Sequence, residues 1–289
     1  MNIDPVWTIR RLLQWSGPWL AERGADTPRL DAELLLANAL NLQRIGLFLD
    51  PDRPLNVEEL GAYKSRLKRR AAREPVAYII GQKDFWKNTF AVDRRVLIPR
   101  PETETLLEIV LKHYAEHSGN WHFLDIGCGS GALVISLLLE FPNATGVGLD
   151  VSEEALMVSS LNGQRLQVDE RVRWLSSDLM GVLDGAERFD VIVTNPPYVP
   201  HAEVLGLQPE ILRYEPHVAL DGGVDGLSVI RRLVPEAVGF LHPGGLLALE
   251  IDSRQKDAVV ELLHGCGLHR VGSLEDAHHV PRIVYGFAV

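Results

Sequence analysis

Asp125-Ile126-Gly127-Cys128-Gly129-Ser130-Gly131 decides the fold. It falls between a short apolar run, 121–126, that reads as a strand, and a longer one, 132–141, that reads as a helix. Glycines at such a junction let the backbone turn sharply and let a ligand come close. The helix that follows is expected to offer free N–H groups to that ligand. Asp150 follows the next strand, 144–149. An acid there commonly accepts the hydroxyls of a ribose. Loop and acid together point to a nucleoside-containing ligand at the switch point of an open sheet. The alternative is a tight strand–helix turn with no ligand. Gly127-x-Gly129-x-x-Ala132 also satisfies the loose dinucleotide pattern. Asp125 weighs against a pyrophosphate and suits a cation, such as the sulfonium and ammonium of S-adenosylmethionine.

Strands and helices alternate outward from this loop. Helices are expected at 152–166, 227–241 and 254–266, and strands at 172–175, 189–194, 246–251, 268–273 and 283–287. This alternation predicts a doubly wound, largely parallel sheet covered on both faces, an α/β fold. Upstream, Pro101 suits the first turn of a helix expected to run to His117. Glu102 and Glu104 suit the positive end of that helix. Phe85, Trp86, Phe90, Val92, Val96 and Ile98 alternate loosely with polar residues and suggest a hairpin linker. The first 80 residues show helical periodicity alone. Leu30, Leu34, Leu35, Leu36 and Leu40 form one expected apolar face, and Leu12, Leu13, Trp15, Trp19 and Leu20 another. The chain therefore divides into a helical domain, 1–80, a β-hairpin linker, 81–100, and an α/β domain, 101–289.

Composition removes other classes. The chain has 289 residues, 29 Lys and Arg against 39 Asp and Glu, and a net charge of −10. Residues 1–80 carry net +2 and residues 81–289 net −12. Such acidity does not suit a duplex-DNA binder. Two cysteines, Cys128 and Cys266, allow neither a disulfide scaffold nor a four-cysteine metal site. No apolar run reaches membrane-spanning length. Met-Asn-Ile-Asp-Pro at the start carries no secretory signal, so a cytoplasmic location is expected. His278-His279 has no third ligand in register, and no metal is expected. Lys64, Arg66, Lys68, Arg69, Arg70 and Arg73 form a basic run that reads as a solvated helix face, or as a grip for RNA or an acidic partner.

Asn195-Pro196-Pro197-Tyr198 directly follows the strand 189–194, at the carboxyl end where open sheets bind ligands. Two prolines fix the backbone and remove two N–H donors. The Asn195 side-chain carbonyl and the Pro196 main-chain carbonyl are left to accept both hydrogens of a planar NH₂ group. Tyr198 offers a flat apolar surface. A delocalised nitrogen is a poor nucleophile; two acceptors on its hydrogens return density to it. Held in line with a methyl donor, it can then attack. A proline-rich turn without function is the plain alternative.

The ordered set Asp125–Gly131, Asp150 and Asn195–Tyr198 resembles class I S-adenosylmethionine-dependent methyltransferases that act on NH₂ groups. Leu97-Ile98-Pro99-Arg100-Pro101-Glu102-Thr103-Glu104 narrows the resemblance to the protein-glutamine N5-methyltransferases of the PrmC/HemK family. Glu215-Pro216-x-x-Ala219-Leu220-x-Gly222-Gly223-x-Asp225-Gly226-Leu227 does the same. The resemblance implies S-adenosylmethionine as cofactor. It implies, as substrate, the glutamine in the Gly-Gly-Gln motif of class 1 peptide-chain release factors. By the same resemblance Asp125, Gly127, Cys128, Gly129, Ser130, Gly131, Asp150, Asp178, Leu179 and Asn195 would bind cofactor. Asn195, Pro196, Pro197, Tyr198 and Arg100 would bind substrate, with Asn195, Pro196 and Tyr198 catalytic. The helical domain would grip the release factor, and the protein is expected to be monomeric, without membrane or stable nucleic-acid binding. Three departures from the family pattern touch adenine packing and partner contact. Asp252-Ser253 stands after Leu249-Glu250-Ile251, Leu179 stands where an aromatic is common, and 275–282 is atypical.

Competing readings remain at this level. A ribosomal-protein glutamine methyltransferase is barely separated by sequence. An adenine N6-methyltransferase shares the need to hold a planar NH₂, but must receive an unpaired base and usually carries a basic face. An inactive binding module and a nicotinamide dehydrogenase are the more distant alternatives.

Overall fold

The computed structural model describes residues 6–276 and 278–289. The N-terminal pentapeptide and Ala277 of the atypical segment lie outside them. The chain forms two units.

The first unit holds the described residues up to Gly81 together with Gln208–Tyr214. It contains α1 (Ile9–Ala21), α2 (Pro28–Ala39), α3 (Gly46–Leu49), α4 (Val57–Ala71) and α5 (Val76–Ile80). Pro28 starts α2, where its missing N–H costs nothing. Asn56 and Glu59 close a reciprocal capping box at the start of α4. The core is Leu12, Leu20, Leu35, Leu36, Leu47, Tyr63 and Leu67 with their neighbours. Three residues of the expected apolar faces stay outside it: Trp15, 47% exposed, Leu30, 39% exposed, and the half-buried Leu34. Trp15 instead stacks on Trp19, ring centroids 5.5 Å apart.

The second unit begins with the antiparallel pair β1 (Gln82–Phe85) and β2 (Asn88–Ala91). A 3-10 turn, Pro101–Thr103, leads into α6 (Glu104–His113). This helix stops four residues short of the expected end. Tyr114 leaves the helical conformation, donates its hydroxyl to the Asp190 carbonyl at 2.7 Å and meets Trp121 edge-on. Then follow β3 (His122–Ile126), α7 (Ala132–Glu140), β4 (Thr145–Asp150), α8 (Glu153–Arg165), β5 (Val172–Ser176) and β6 (Phe189–Thr194). Next come α9 (His201–Val204) and α10 (Pro209–Tyr214); α10 belongs to the first unit. The chain closes with α11 (Ser228–Val238), β7 (Leu241–Glu250), α12 (Lys256–Gly265), β8 (His269–Glu275) and β9 (Pro281–Phe287). The expected helix 227–241 ends early, and β7 takes up Leu241, which pairs with Phe189 before the register shifts.

The seven strands lie in the order β5-β4-β3-β6-β7-β9-β8. All neighbours are parallel except β9, which runs against both β7 and β8. Phe123 faces one apolar layer with α6 and α7, and Leu124 and Ile126 face the other with α11 and α12. Chain order reverses between β3 and β6, so the switch point lies at their carboxyl ends. Among the described residues, no helix is long and apolar enough to cross a membrane.

Candidate active site

Register places the site. Ile126 pairs with Leu149 on one side and with Thr194 on the other. The residues that follow each, Gly127, Asp150 and Asn195, therefore emerge at one level of the sheet. The Thr194 hydroxyl donates to the Ile126 carbonyl at 2.7 Å and ties the two strand ends together. A cavity of about 560 Å³ opens there. Asp125, Gly127, Cys128, Gly129, Ser130, Asp150, Asp178, Leu179, Asn195, Pro196, Pro197 and Arg100 all line it. Gly131 and Tyr198 do not. Gly131 caps α7 in the left-handed conformation, and a Cβ there would press on Ile135 and Trp174.

The loop itself corrects one expectation. Its N–H groups are not held free for an anion. Gly127 and Cys128 both donate to the Leu149 carbonyl, Gly129 to Asp150 Oδ2 and Gly131 to the Cys128 carbonyl. Val134, in the first turn of α7, donates to Asp125 Oδ2 at 3.3 Å. A pyrophosphate would find those loop donors already engaged, which weighs against the dinucleotide reading. Gly127 and Gly129 take positive φ, and the space where each Cβ would stand is open.

The loop is instead built for a cation. Asp125 is buried, and its Oδ1 has no hydrogen-bond partner. Burial pushes its carboxyl up to about 7, against the pull of the Val134 N–H. An orphaned buried carboxylate oxygen is costly unless a ligand completes it. Asp150 accepts from Gly129 and Ser152, both at 2.9 Å, and each oxygen keeps a lone pair for a hydroxyl. Burial raises its pKa too. Leu179 is buried in the left-handed conformation, while the carboxylate of Asp178 pairs with Arg232 at 2.8 Å on the surface. The residues present fit S-adenosylmethionine: a carboxylate for an ammonium, an acid for a ribose, and apolar walls from Leu133, Leu149 and Leu179.

The opposite wall carries the Asn195 turn. Arg100 donates to Glu215 Oε1 at 2.6 Å, and the Ile98 N–H donates to Oε2 at 3.2 Å. Arg100 is thus held by a buried acid and is no free surface arginine. Tyr198 donates its hydroxyl to Glu250 Oε1 at 3.1 Å, and its carbonyl accepts from Gln255 at 2.9 Å. Burial drives its phenol upward, and the Glu250 charge adds to that. Thr103 and Glu250 stand inside stretches quoted for the family resemblance, but motif reading gave neither a role. A signal was available: Glu250 is the one acid in the apolar run 246–251.

The four arginines of the basic run are paired, and half of the run is exposed. Arg70 is buried between Asp31 at 2.6 Å and Glu210 at 2.8 Å. Arg73 joins Glu210 at 2.6 Å, Arg69 binds Glu74 and Arg66 binds Asn38. Lys64, Lys68 and Arg69 are exposed as the solvated reading has it, although Arg69 is paired with Glu74.

Fold and site define a class I S-adenosylmethionine-dependent methyltransferase. Structural likeness agrees at the level of fold. The RNA-bound catalytic domain of human Mettl16 has a TM-score of 0.57 and 12% identity, covering 78% of this chain and 81% of that one. The Thermus thermophilus 16S rRNA N2 G1207 methyltransferase, bound to AdoMet and guanosine, has a TM-score of 0.54 and 20% identity. It covers 72% of this chain and 50% of that one. Sequence families go further. Residues 11–81 match the PrmC N-terminal domain, and residues 102–265 match the methyltransferase small domain. A release factor glutamine methyltransferase of Geobacter sulfurreducens is 41% identical over 97% of both chains. One of Caulobacter vibrioides is 42% identical over 92% of both. The chain belongs to the release factor glutamine methyltransferase family.

Proposed function

We propose that the protein transfers the methyl group of S-adenosylmethionine to the side-chain amide nitrogen, N5, of a glutamine. That glutamine is the one in the Gly-Gly-Gln motif of class 1 peptide-chain release factors. One observation carries this reading: the shared register of β4, β3 and β6, which brings Asp150, the glycine loop and Asn195 around one cavity. Bound there, S-adenosylmethionine supplies a methyl carbon made electrophilic by its sulfonium. Asp125 meets the ammonium and Asp150 the ribose hydroxyls. Asn195 Oδ1 and the Pro196 carbonyl accept the two hydrogens of the glutamine amide. They draw the lone pair back onto nitrogen and hold it in line. They also stabilise the positive charge that develops there. The nitrogen sheds its extra proton to water afterwards, so no side-chain base is required. Arg100, fixed by Glu215, orders the wall beside the entrance. On this reading the protein works in the cytoplasm, as a monomer acting on a protein partner, with neither membrane nor stable nucleic-acid binding.

Mass spectrometry of the Gly-Gly-Gln peptide, after incubation of a release factor with the protein and cofactor, tests this. One added methyl on the glutamine is expected. Asn195→Ala is expected to lose about a hundredfold to a thousandfold in turnover while still binding S-adenosylmethionine. Undiminished turnover in that variant, or no methyl gained with the wild type, would overturn the reading.

A further inference from the structure

Glu250 ends β7 with 2% of its surface exposed, beside Leu246, Leu247, Ala248 and Leu249. Its Oε2 accepts the Thr103 hydroxyl at 2.6 Å, and its Oε1 accepts the Tyr198 hydroxyl at 3.1 Å. Thr103 is 5% exposed and in turn accepts Nδ2 of Asn195 at 3.1 Å. Burial drives the Glu250 carboxyl upward, and the two hydroxyls pull it back. Thr103 comes from the turn before α6, Asn195 and Tyr198 from the loop after β6, and Glu250 from β7. Nothing in the spacing of these residues along the chain shows that they meet.

The polarity of this chain of bonds follows from a charged Glu250 that accepts at both oxygens. A threonine hydroxyl has one hydrogen, and an ionised carboxylate only accepts. Thr103 gives its hydrogen to Glu250 and so presents a lone pair to Asn195. Only the NH₂ end of the Asn195 amide complements a lone pair; its carbonyl end would meet oxygen with oxygen. The amide is thereby turned with Oδ1 left for the substrate. A half-turn about its last bond would present a donor to the substrate's own NH₂ donors, and the nitrogen would lose its acceptor.

We infer that Glu250 is a positioning residue that acts through Thr103 to hold the Asn195 amide with its acceptor, and not its donor, toward the substrate nitrogen. The inference rests on the reading that Asn195 accepts from a glutamine amide. Glu250 touches no reacting atom. Its second oxygen anchors Tyr198, so one buried carboxylate aligns both polar ends of the Asn-Pro-Pro-Tyr turn.

The test uses the full chain and three variants. Thr103→Val keeps the shape and removes the bridging hydroxyl; Thr103→Ser keeps the hydroxyl; Glu250→Gln keeps the size and removes an acceptor. With a release factor as substrate, Thr103→Ser is expected to hold kcat within about twofold of wild type, as the bridge survives. Thr103→Val and Glu250→Gln are expected to lower kcat about tenfold or more, with KM and cofactor affinity nearly unchanged. NMR of the Asn195 side-chain amide, without substrate, gives a second readout. A hydrogen-bonded Nδ2 proton is expected in wild type and Thr103→Ser, and its loss in Thr103→Val. Equal kcat in Thr103→Val and Thr103→Ser, or an unchanged amide signal in Thr103→Val, would overturn the inference. If the wild type methylates no release factor, the functional reading fails, and the amide signal alone decides the inference.

Discussion

Both units bury carboxylates, but only the α/β unit, where Arg100 meets Glu215, leaves others without a cation. In the helical unit each is met by arginine. Glu33 accepts Arg29 at 2.9 Å and Arg44 at 2.8 Å, and Glu210 lies between Arg70 and Arg73. Burial works to raise both carboxyls, but the guanidinium donors outweigh it and hold them below the ordinary range. In the α/β unit, Asp125 is met by a backbone N–H, and Glu250 by two hydroxyls. Burial wins there, and both are pushed upward. A neutralised carboxylate is a strut: it fixes helix against helix and has nothing left for a ligand. A carboxylate without a cation keeps unspent binding capacity, and those are the ones that stand at the cavity or directly behind it. The difference separates groups that hold the fold from groups held ready by it.

The sharpest way to break this comparison is to remove a strut. Arg70→Ala leaves Asp31 and Glu210 buried without their shared cation. Denaturant unfolding of the full chain is expected to show a loss of about 3–5 kcal/mol. Lys64→Ala and Lys68→Ala, on the exposed face of the same helix, are expected to stay within about 0.5 kcal/mol of wild type. An equal response of Arg70 and Lys68 would erase the distinction between strut and solvated face.

Asp125 tests the other side. Its folded value, about 7, lies above the ordinary 3.8, so folding favours the protonated form. The stability it contributes is complete below about pH 3.8 and is lost as pH rises through about 7. The cofactor-free protein should lose up to about 1.4 kcal/mol per pH unit from this group across that window. Asp125→Asn should flatten that slope in thermal unfolding. Affinity for S-adenosylmethionine, measured by calorimetry, should rise with pH up to about 7 in wild type and stay level in Asp125→Asn. A slope shared by both proteins would remove Asp125 from the cofactor site.

The smallest effect belongs to Asp178. Its carboxylate is exposed and already paired with Arg232. Asp178→Ala is expected to weaken cofactor affinity by no more than about fivefold. A larger loss would mean that this exposed pair works like the buried acids.

Local pattern made much of this legible. The glycine loop, Asp150 and the Asn195 turn each announce themselves within a few residues, because turns, caps and strand ends are set by near neighbours. Nine of the twelve residues found on the cavity wall among those expected there come from these motifs; Asp178, Leu179 and Arg100 lie outside them. What pattern reading missed has a common cause. The basic run looked solvated because its acids, Asp31 and Glu210, lie far away in the chain. The loop N–H groups of Gly127, Cys128 and Gly129 were taken by the Leu149 carbonyl and by Asp150, and that of Val134 in α7 by Asp125, partners that only the folded loop brings close.

The sequence by itself determined the alternation of strands and helices, the switch-point loop and the family resemblance. Each of these rests on periodicity and on residue types a few positions apart. Only the tertiary structure decided which charges are neutralised and which way the Asn195 amide is turned. Several of the deciding partners are tens of residues apart or more, as Arg70 is from Asp31 and Thr103 is from Glu250. Burial, which sets the strength and sign of every such interaction, is a property of the packed molecule and of no segment of it.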